Sequence, residues 1–383
     1  MHTVVFSRRI RSFLYPVERS ISQGCVRLCD QKSSEGASES SDVSHSQNLK
    51  QKEWLQYYHR PANIKPEDTS IILFPGQGAQ FVGMGKNLVQ LPKVKEMFQY
   101  ANEILRTDLL KTCLEGPQSK LDQTIHCQPA TYVVSLAAMT KLQMDDNELI
   151  RNCVATSGFS LGEISALVFG GAMTFEEGLQ IVRVRAEAMQ KACEKSPGAM
   201  ASVFLEHNSQ LKLAILAAVN YCKTELNMPD VVCNIANYLY ADCKVIAGHK
   251  QAVKFIEDHA EHFRIRRVKR LPVSGAFHTA LMQSATKPLS NTISRLSNLK
   301  VPVIPVVSAV DVRPYGSVES VKRKLVLQVV RPVRWEQTLH ALYIRPPDAT
   351  FPVTVEPGPG RQLGAMLRMV NLKAYKNYRS IPV

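Results

Sequence analysis

Residues Gly158-Phe159-Ser160-Leu161-Gly162-Glu163 set one hydroxyl between two glycines, directly after a short apolar run and ahead of a helix-like segment. A chain that bends this sharply from strand to helix leaves no room for Cβ atoms two residues either side of its apex. It lifts the apical serine oxygen to the helix N-terminus. Free N–H groups and the helix dipole there favour developing negative charge, as a nucleophile elbow requires. An ordinary glycine-flanked turn would be spelled the same way, so the serine needs a partner. Its hydroxyl is a weak nucleophile until a base takes the proton. Of the ten histidines, His278 alone follows a strand-like run, Leu271-Pro272-Val273-Ser274, and a glycine, Gly275, so a rigid edge could aim it into a cleft. A satisfied loop histidine is the alternative.

Such a pair needs an α/β scaffold. Ile71-Ile72-Leu73-Phe74, ended by Pro75-Gly76, reads as a buried strand feeding a loop rich in glycine (Gly76, Gly78, Gly83, Gly85). That loop is no phosphate cradle, because Gln80 stands where the first P-loop glycine belongs and Asn87 where Ser or Thr should follow Lys86. Residues 129–144 have helical spacing, and 163–193 read as two helices parted near Gly170-Gly171. Beyond Pro197-Gly198 the pattern changes to strands at 199–205 and 231–247 and helices at 208–222 and 249–262, a β-α-β-α-β-like order that suggests a small inserted α+β unit. Leu271–Ser274 reads as a returning strand ending in Gly275-Ala276-Phe277-His278, and residues 302–307 as another buried strand.

With 383 residues and 45% hydrophobic content the chain can bury a large core, yet no apolar run reaches the roughly 18 residues of a membrane span. Arg8, Arg9 and Arg11 lie among apolar residues with no acid before Glu18, the pattern of a mitochondrial presequence, expected at 1–30. A flexible Ser-rich linker is expected at 31–60, since seven serines fall within 33–46. Residues 1–50 carry a net charge of +2, which leaves +12 of the total +14 on the remainder. The densest basic cluster is Arg264, Arg266, Arg267, Lys269 and Arg270, which favours an acidic protein or a phosphate-bearing cofactor as partner. A solvated basic face is the plainer reading. Neither zinc-finger spacing nor an RNP-like aromatic motif is present, so nucleic acid is not expected as a partner. Nine cysteines without a C-x-x-C pair argue for reduced thiols, and His259 and His262 lack a third ligand, so no metal site and no resident cofactor is expected.

Several motifs occur in one order: Phe74-Pro75-Gly76-Gln77-Gly78-Ala79-Gln80, Gln128-Pro129-Ala130, Gly158 to Glu163, Arg185, Gly275-Ala276-Phe277-His278, Gln328 and Gly358-Pro359-Gly360. Together they resemble the malonyl-CoA:acyl carrier protein transacylases, mitochondrial type, over about residues 70–370. The resemblance implies an α/β fold, with an α/β-hydrolase-like large subdomain and a ferredoxin-like small subdomain inserted at about 197–273 of an acyltransferase domain spanning 61–383. It implies Ser160 as nucleophile and His278 as base and then acid, in a ping-pong reaction. The backbone N–H groups of Leu161 and Gln77 would form the oxyanion hole. Arg185 would hold the free malonyl carboxylate, which a planar guanidinium can grip through two parallel hydrogen bonds. Gln128 would position that arginine, whereas Arg183, two residues away, is read as a surface group. Gln328 would supply the main-chain carbonyl that orients His278, making a dyad. A triad would need an acid between serine and histidine in chain order, and Asp230, Asp242 and Asp258 all fall in the expected insertion.

Two departures stand out. Phe159 occupies a position where most of the family has histidine, and Asn237-Tyr238-Leu239-Tyr240-Ala241-Asp242 replaces the usual Asn-Ser-Pro-Gly run, so that only Asn237 carries over as a substrate-binding residue. The reading is therefore a monomeric acyltransferase of the mitochondrial matrix, transferring malonyl groups from malonyl-CoA to an acidic acyl carrier protein in fatty acid synthesis. A serine esterase on the same nucleophile and a non-catalytic interaction protein remain as alternatives.

Overall fold

In the computed structural model, Arg60 and residues 63–273 and 275–383 are described; the presequence expected at 1–30 and the linker at 31–60 lie outside the described residues, Arg60 apart. Ten strands occur in this part: β1 (Ser70–Phe74), β2 (Cys153–Gly158), β3 (Gly198–Leu205), β4 (Cys233–Tyr240), β5 (Cys243–His249), β6 (Ile265–Arg270), β7 (Val306–Val307), β8 (Val333–Arg334), β9 (Val353–Pro357) and β10 (Tyr378–Ile381). They form two sheets. The first, in order β10-β9-β1-β2-β7, is wholly parallel. β1 and β2 are buried at every position, as central strands covered on both faces must be, which is why they read as continuous apolar or small-residue runs.

The register sets the site. Phe74 pairs with Gly158, so the glycine-rich loop after β1 and the elbow after β2 leave the same carboxyl edge side by side. Around the elbow, Ser160 sits at φ 52°. A Cβ on Gly162 would lie 2.1 Å from the Phe74 carbonyl oxygen, and one on Gly158 would lie 1.9 Å from the Gly162 backbone. These glycines are steric necessities of a strand and helix packed backbone to backbone. The helix that follows, Gly162–Phe169, is buried along its whole length.

The helix Phe175–Lys195 begins at a capping box, Thr174 with Glu177, and carries Arg185 on its buried face. It packs against the long helix Thr124–Asp145, which brings Gln128 to the same level.

The second sheet runs β6-β3-β5-β4-β8. Its first four strands are antiparallel, and with the helices Leu211–Thr224 and Lys250–Asp258 they follow in chain order as βαββαβ, a ferredoxin-like unit with its own apolar core. The sequence reading ran 231–247 together; the chain instead turns at Ala241-Asp242 into a β4–β5 hairpin. β8 comes from the large subdomain and pairs with β4 at Asn237 and Tyr238, joining the two units through one sheet. The basic cluster lies on and beside β6, an edge strand whose charges deter pairing with another chain.

Two expected strands are corrected. Leu271–Val273 is irregular, because β6 already ends at Arg270 and Pro272 has no N–H to continue a ladder. Of 302–307 only Val306–Val307 joins the sheet; Pro302 and Pro305 interrupt it, and Val303 is 58% exposed. The seven described cysteines are buried thiols that form no disulfide.

An elbow this tight predicts that Gly162→Ala lowers unfolding stability by about 3 kcal/mol, since backbone rather than a flexible side chain must yield. Urea unfolding measures this, and an unchanged midpoint would contradict the packing described.

Candidate active site

Ser160 Oγ lies 2.9 Å from His278 Nε2, and His278 Nδ1 lies 2.7 Å from the Gln328 carbonyl oxygen. A carbonyl only accepts, so Nδ1 carries the proton and Nε2 presents its lone pair to the serine hydroxyl. His278 itself is at φ 63°, fixed by its own N–H donating to the Val329 carbonyl at 3.1 Å and by Thr279 Oγ1 donating to the Ala276 carbonyl at 2.7 Å. The histidine is thus presented by a turn rather than by the strand end the sequence suggested. Both ring nitrogens are engaged without a carboxylate, and Asp230, Asp242 and Asp258 are exposed on the small subdomain. The arrangement is a dyad.

Arg185 is only 2% exposed. Its Nη1 donates to Gln128 Oε1 at 2.8 Å, and its Nη2 donates to Ser160 Oγ at 3.0 Å and to Gln328 Oε1 at 3.1 Å. Its Nε is buried without a partner. Nε and Nη2 share one edge of the planar guanidinium, so an unpaired N–H lies on the edge that faces Ser160. Burial lowers the Arg185 pKa to about 10, which leaves it a cation at neutral pH. Burial, together with that cation, lowers His278 to about 4, so its imidazole is neutral and able to accept a proton.

Gln328 does more than supply a carbonyl. Its Nε2 donates to the Ser160 carbonyl at 3.0 Å and to Glu163 Oε2 at 2.6 Å. Glu163 is completely buried beneath the elbow and also accepts from the Tyr315 hydroxyl. Burial pushes its pKa up, while Tyr315, Ser308, Gln328 and the Ala309 amide pull back towards the anion. Sequence reasoning passed over Glu163 and Tyr315. The available signal was an acid in the first turn of a helix whose other residues are apolar or small, a place where a carboxylate must find buried donors. Arg183 is corrected as well: it is half-buried, and its Nη1 donates to the Ile104 carbonyl at 3.2 Å.

A cavity of about 510 Å³ opens beside the elbow, between the glycine-rich loop, Phe159, Asn237 of β4 and Val273. Gln77 lines it, and its side chain is fixed by Thr124 Oγ1 at 3.3 Å and by Gln128 Nε2 at 3.4 Å. A Cβ on Gly76 would sit 2.3 Å from the Phe159 carbonyl oxygen, so glycine lets this loop press onto the elbow. The backbone amides of Gln77 and Leu161 take no acceptor among the described loop and cap hydrogen bonds. Asn237 is buried with its Oδ1 unpartnered. A larger opening of about 940 Å³, between Lys212, Tyr238 and Arg331, is the one that reaches His278 among the cavities of the described residues. Phe159 meets Trp335 edge to face, ring centroids 5.5 Å apart, and packs into the apolar cluster under the elbow.

A buried serine–histidine pair beside a buried arginine on this scaffold has counterparts. The acyl transferase domain family matches residues 71–359. The mitochondrial malonyl-CoA-acyl carrier protein transacylase of Homo sapiens is 47% identical over 318 residues, 83% of this chain and 81% of that protein. The chain belongs to the malonyl-CoA-acyl carrier protein transacylase family. A probable mitochondrial member from Drosophila melanogaster is 48% identical over 320 residues, 84% of each chain. Among solved structures, the malonyl CoA-acyl carrier protein transacylase of Coxiella burnetii superposes with TM-score 0.73 at 31% identity, covering 84% of this chain and 95% of that one. Both the acyltransferase class and the α/β fold with its ferredoxin-like insertion, as the sequence suggested, stand in this family member.

The lowered His278 pKa fixes a pH dependence. In acylation by the free enzyme, kcat/KM stays level from neutrality down to about pH 5 and falls as His278 protonates near pH 4. The unfolded histidine, near 6.5, binds its proton earlier, so this group's contribution to stability is complete above about pH 6.5 and is lost progressively as pH falls towards 4. Stopped-flow acylation across pH tests it; an acid limb near 6.5 would contradict the buried, arginine-adjacent base.

Proposed function

We propose that this protein transfers the malonyl group of malonyl-CoA to the phosphopantetheine thiol of an acidic acyl carrier protein, by a ping-pong route through malonyl-Ser160. The observation that carries the reading is the buried Arg185, with Nη2 3.0 Å from the nucleophile and Nε unpartnered on the same edge. Malonyl is the short acyl group whose carboxylate lies two carbons from the reacting carbonyl. A cation touching the serine therefore selects a diacid of this length over acetyl, which offers it nothing, and over longer diacids, whose charge falls further away.

Ser160 Oγ attacks the thioester carbonyl carbon while its proton passes to His278 Nε2. The amides of Leu161 and Gln77 meet the oxyanion, and Gln328 holds the imidazole through its carbonyl. Collapse breaks the C–S bond, and His278 returns the proton to the CoA thiolate. The carrier thiol then gives its proton to His278, attacks the malonyl ester, and Ser160 leaves with the proton restored. Gln128 holds Arg185 in place, and Asn237 offers its free Oδ1 to the thioester arm from the small subdomain.

The net +12 on residues 51–383 complements an acidic carrier and would speed its docking. We take the acting unit to be a monomer. We place the protein in the mitochondrial matrix, in fatty acid synthesis. The basic segment 1–30 would be its address, 31–60 its linker, and 61–383 its acyltransferase domain with the small subdomain inserted at about 197–273.

Intact-mass measurement after incubation with malonyl-CoA tests this. The wild type should gain one malonyl group, lose it to phosphopantetheinylated carrier protein, and gain none as Ser160→Ala. Loss of the group to water instead of the carrier would make the protein an esterase, and no label on the wild type would make it non-catalytic.

A further inference from the structure

A nearly buried ion pair joins the two subdomains. Lys244 of β5 donates through Nζ to Glu336 Oε2 at 2.6 Å, and the two side chains are only 13% and 14% exposed. Glu336 stands in the first turn of the helix Trp335–Tyr343, one residue beyond the Trp335 that packs against Phe159 at the elbow. The same Nζ donates to the Tyr240 carbonyl oxygen at 2.7 Å and lies 5.6 Å from the centroid of the Tyr238 ring. One ammonium thus joins the end of β4 to the large subdomain. That end needs a tie. β8 pairs with β4 only at Asn237 and Tyr238, and the β4–β5 register shifts between Ile235 and Asn237 and again between Tyr238 and Tyr240. A ladder interrupted in this way re-aims its side chains but leaves backbone groups without a regular partner. In this stretch Asn237 and Leu239 line the cavity beside the elbow, and Asn237 brings to it a buried Oδ1 without a partner.

An ion pair this deep adds little stability over apolar side chains of the same volume, because desolvation offsets most of the attraction. We propose that its use is geometric: Lys244 is a positioning residue for acyl transfer, which by tying Tyr240 to Glu336 holds the wall formed by residues 237–240 at a fixed distance from the elbow, and which acts on the substrate through Asn237. This rests on the reading of Asn237 as a contact for the thioester arm. The segment held is the one where the chain departs from its family's Asn-Ser-Pro-Gly run, so the tie serves a wall that belongs to this chain's own variation. Lysine suits the task, because its three donors can reach two acceptors on different elements, here a carboxylate and a carbonyl.

The test is a cycle of variants of the full protein: Lys244→Met/Glu336→Gln, which removes the pair without leaving a charge unmatched, Asn237→Ala, and all three substitutions together. In acylation by malonyl-CoA, the pair variant should lose about tenfold in kcat/KM and so should Asn237→Ala, a small displacement of a substrate contact being enough. The combined variant should fall no further than Asn237→Ala alone, to within about twofold, because residues that act in one chain of contacts are not additive. A pair variant with wild-type kcat/KM overturns the proposal, as do losses that multiply to about 100-fold, the mark of two independent structural effects. If the pair variant fails to fold, Glu336→Asp, which keeps the charge and shortens its reach, takes its place in the same cycle. Hydrogen exchange reads the wall without substrate: amides of residues 237–240 should exchange about tenfold faster in the pair variant, while those of β1 and β2 keep their rates. Unchanged exchange at 237–240 overturns the proposal. If the wild type takes no malonyl on Ser160, the proposed function fails, and the exchange still decides whether Lys244 holds the wall.

Discussion

A single buried charge organises this molecule. Placing the Arg185 guanidinium out of water carries a desolvation cost that only well-placed acceptors can offset. The chain supplies them from separate elements: Gln128 from one long helix, Gln328 from the end of another, and Ser160 from the elbow. The counter-charge, Glu163, stands one link away through Gln328 and is anchored by Tyr315. This separation has a chemical consequence. A carboxylate bonded directly to Arg185 would occupy the edge that a substrate acid needs, whereas an amide relay balances the charge and leaves Nε free. The same cation helps keep His278 neutral, so under the proposed function one group would serve both specificity and base strength.

The rest of the fold holds that arrangement still. Pairing of β1 with β2 brings the glycine-rich loop and the elbow out at the same level, and close backbone contact at Gly76, Gly158 and Gly162 leaves neither free to drift. His278 arrives from the turn that follows the small subdomain, and its ring is set by a backbone carbonyl, a partner whose position no titration alters. Because β8 extends the small sheet beside Asn237, the wall of the cleft contributed by the insertion is tied to the large subdomain by backbone hydrogen bonds.

Much of this was legible in the residues. The elbow announces itself because the steric demand falls on glycines at fixed spacing, and β1 because a doubly covered strand must be apolar throughout. Order of motifs located Arg185, Gln128 and Gln328, which no local pattern would single out. What stayed hidden was decided by tertiary packing. Glu163 looks like a first-turn acid placed for the helix dipole, and only a helix buried on all sides makes it a partner of Gln328 and Tyr315. Leu271–Val273 and residues 302–305 have strand-like composition, yet their prolines cannot donate to a ladder. The β4–β5 hairpin was missed because Ala241-Asp242 lacks the usual glycine of a tight turn.

The central claim, that Arg185 confers malonyl selectivity on Ser160, is tested most directly by the ratio of acylation kcat/KM for malonyl-CoA over acetyl-CoA in wild type and Arg185→Ala. Because both substrates meet the same folded population, a general loss of activity cancels. Two charge-assisted hydrogen bonds at about 1.5 kcal/mol each predict a ratio that falls roughly 100-fold. A ratio unchanged by the substitution would contradict the account.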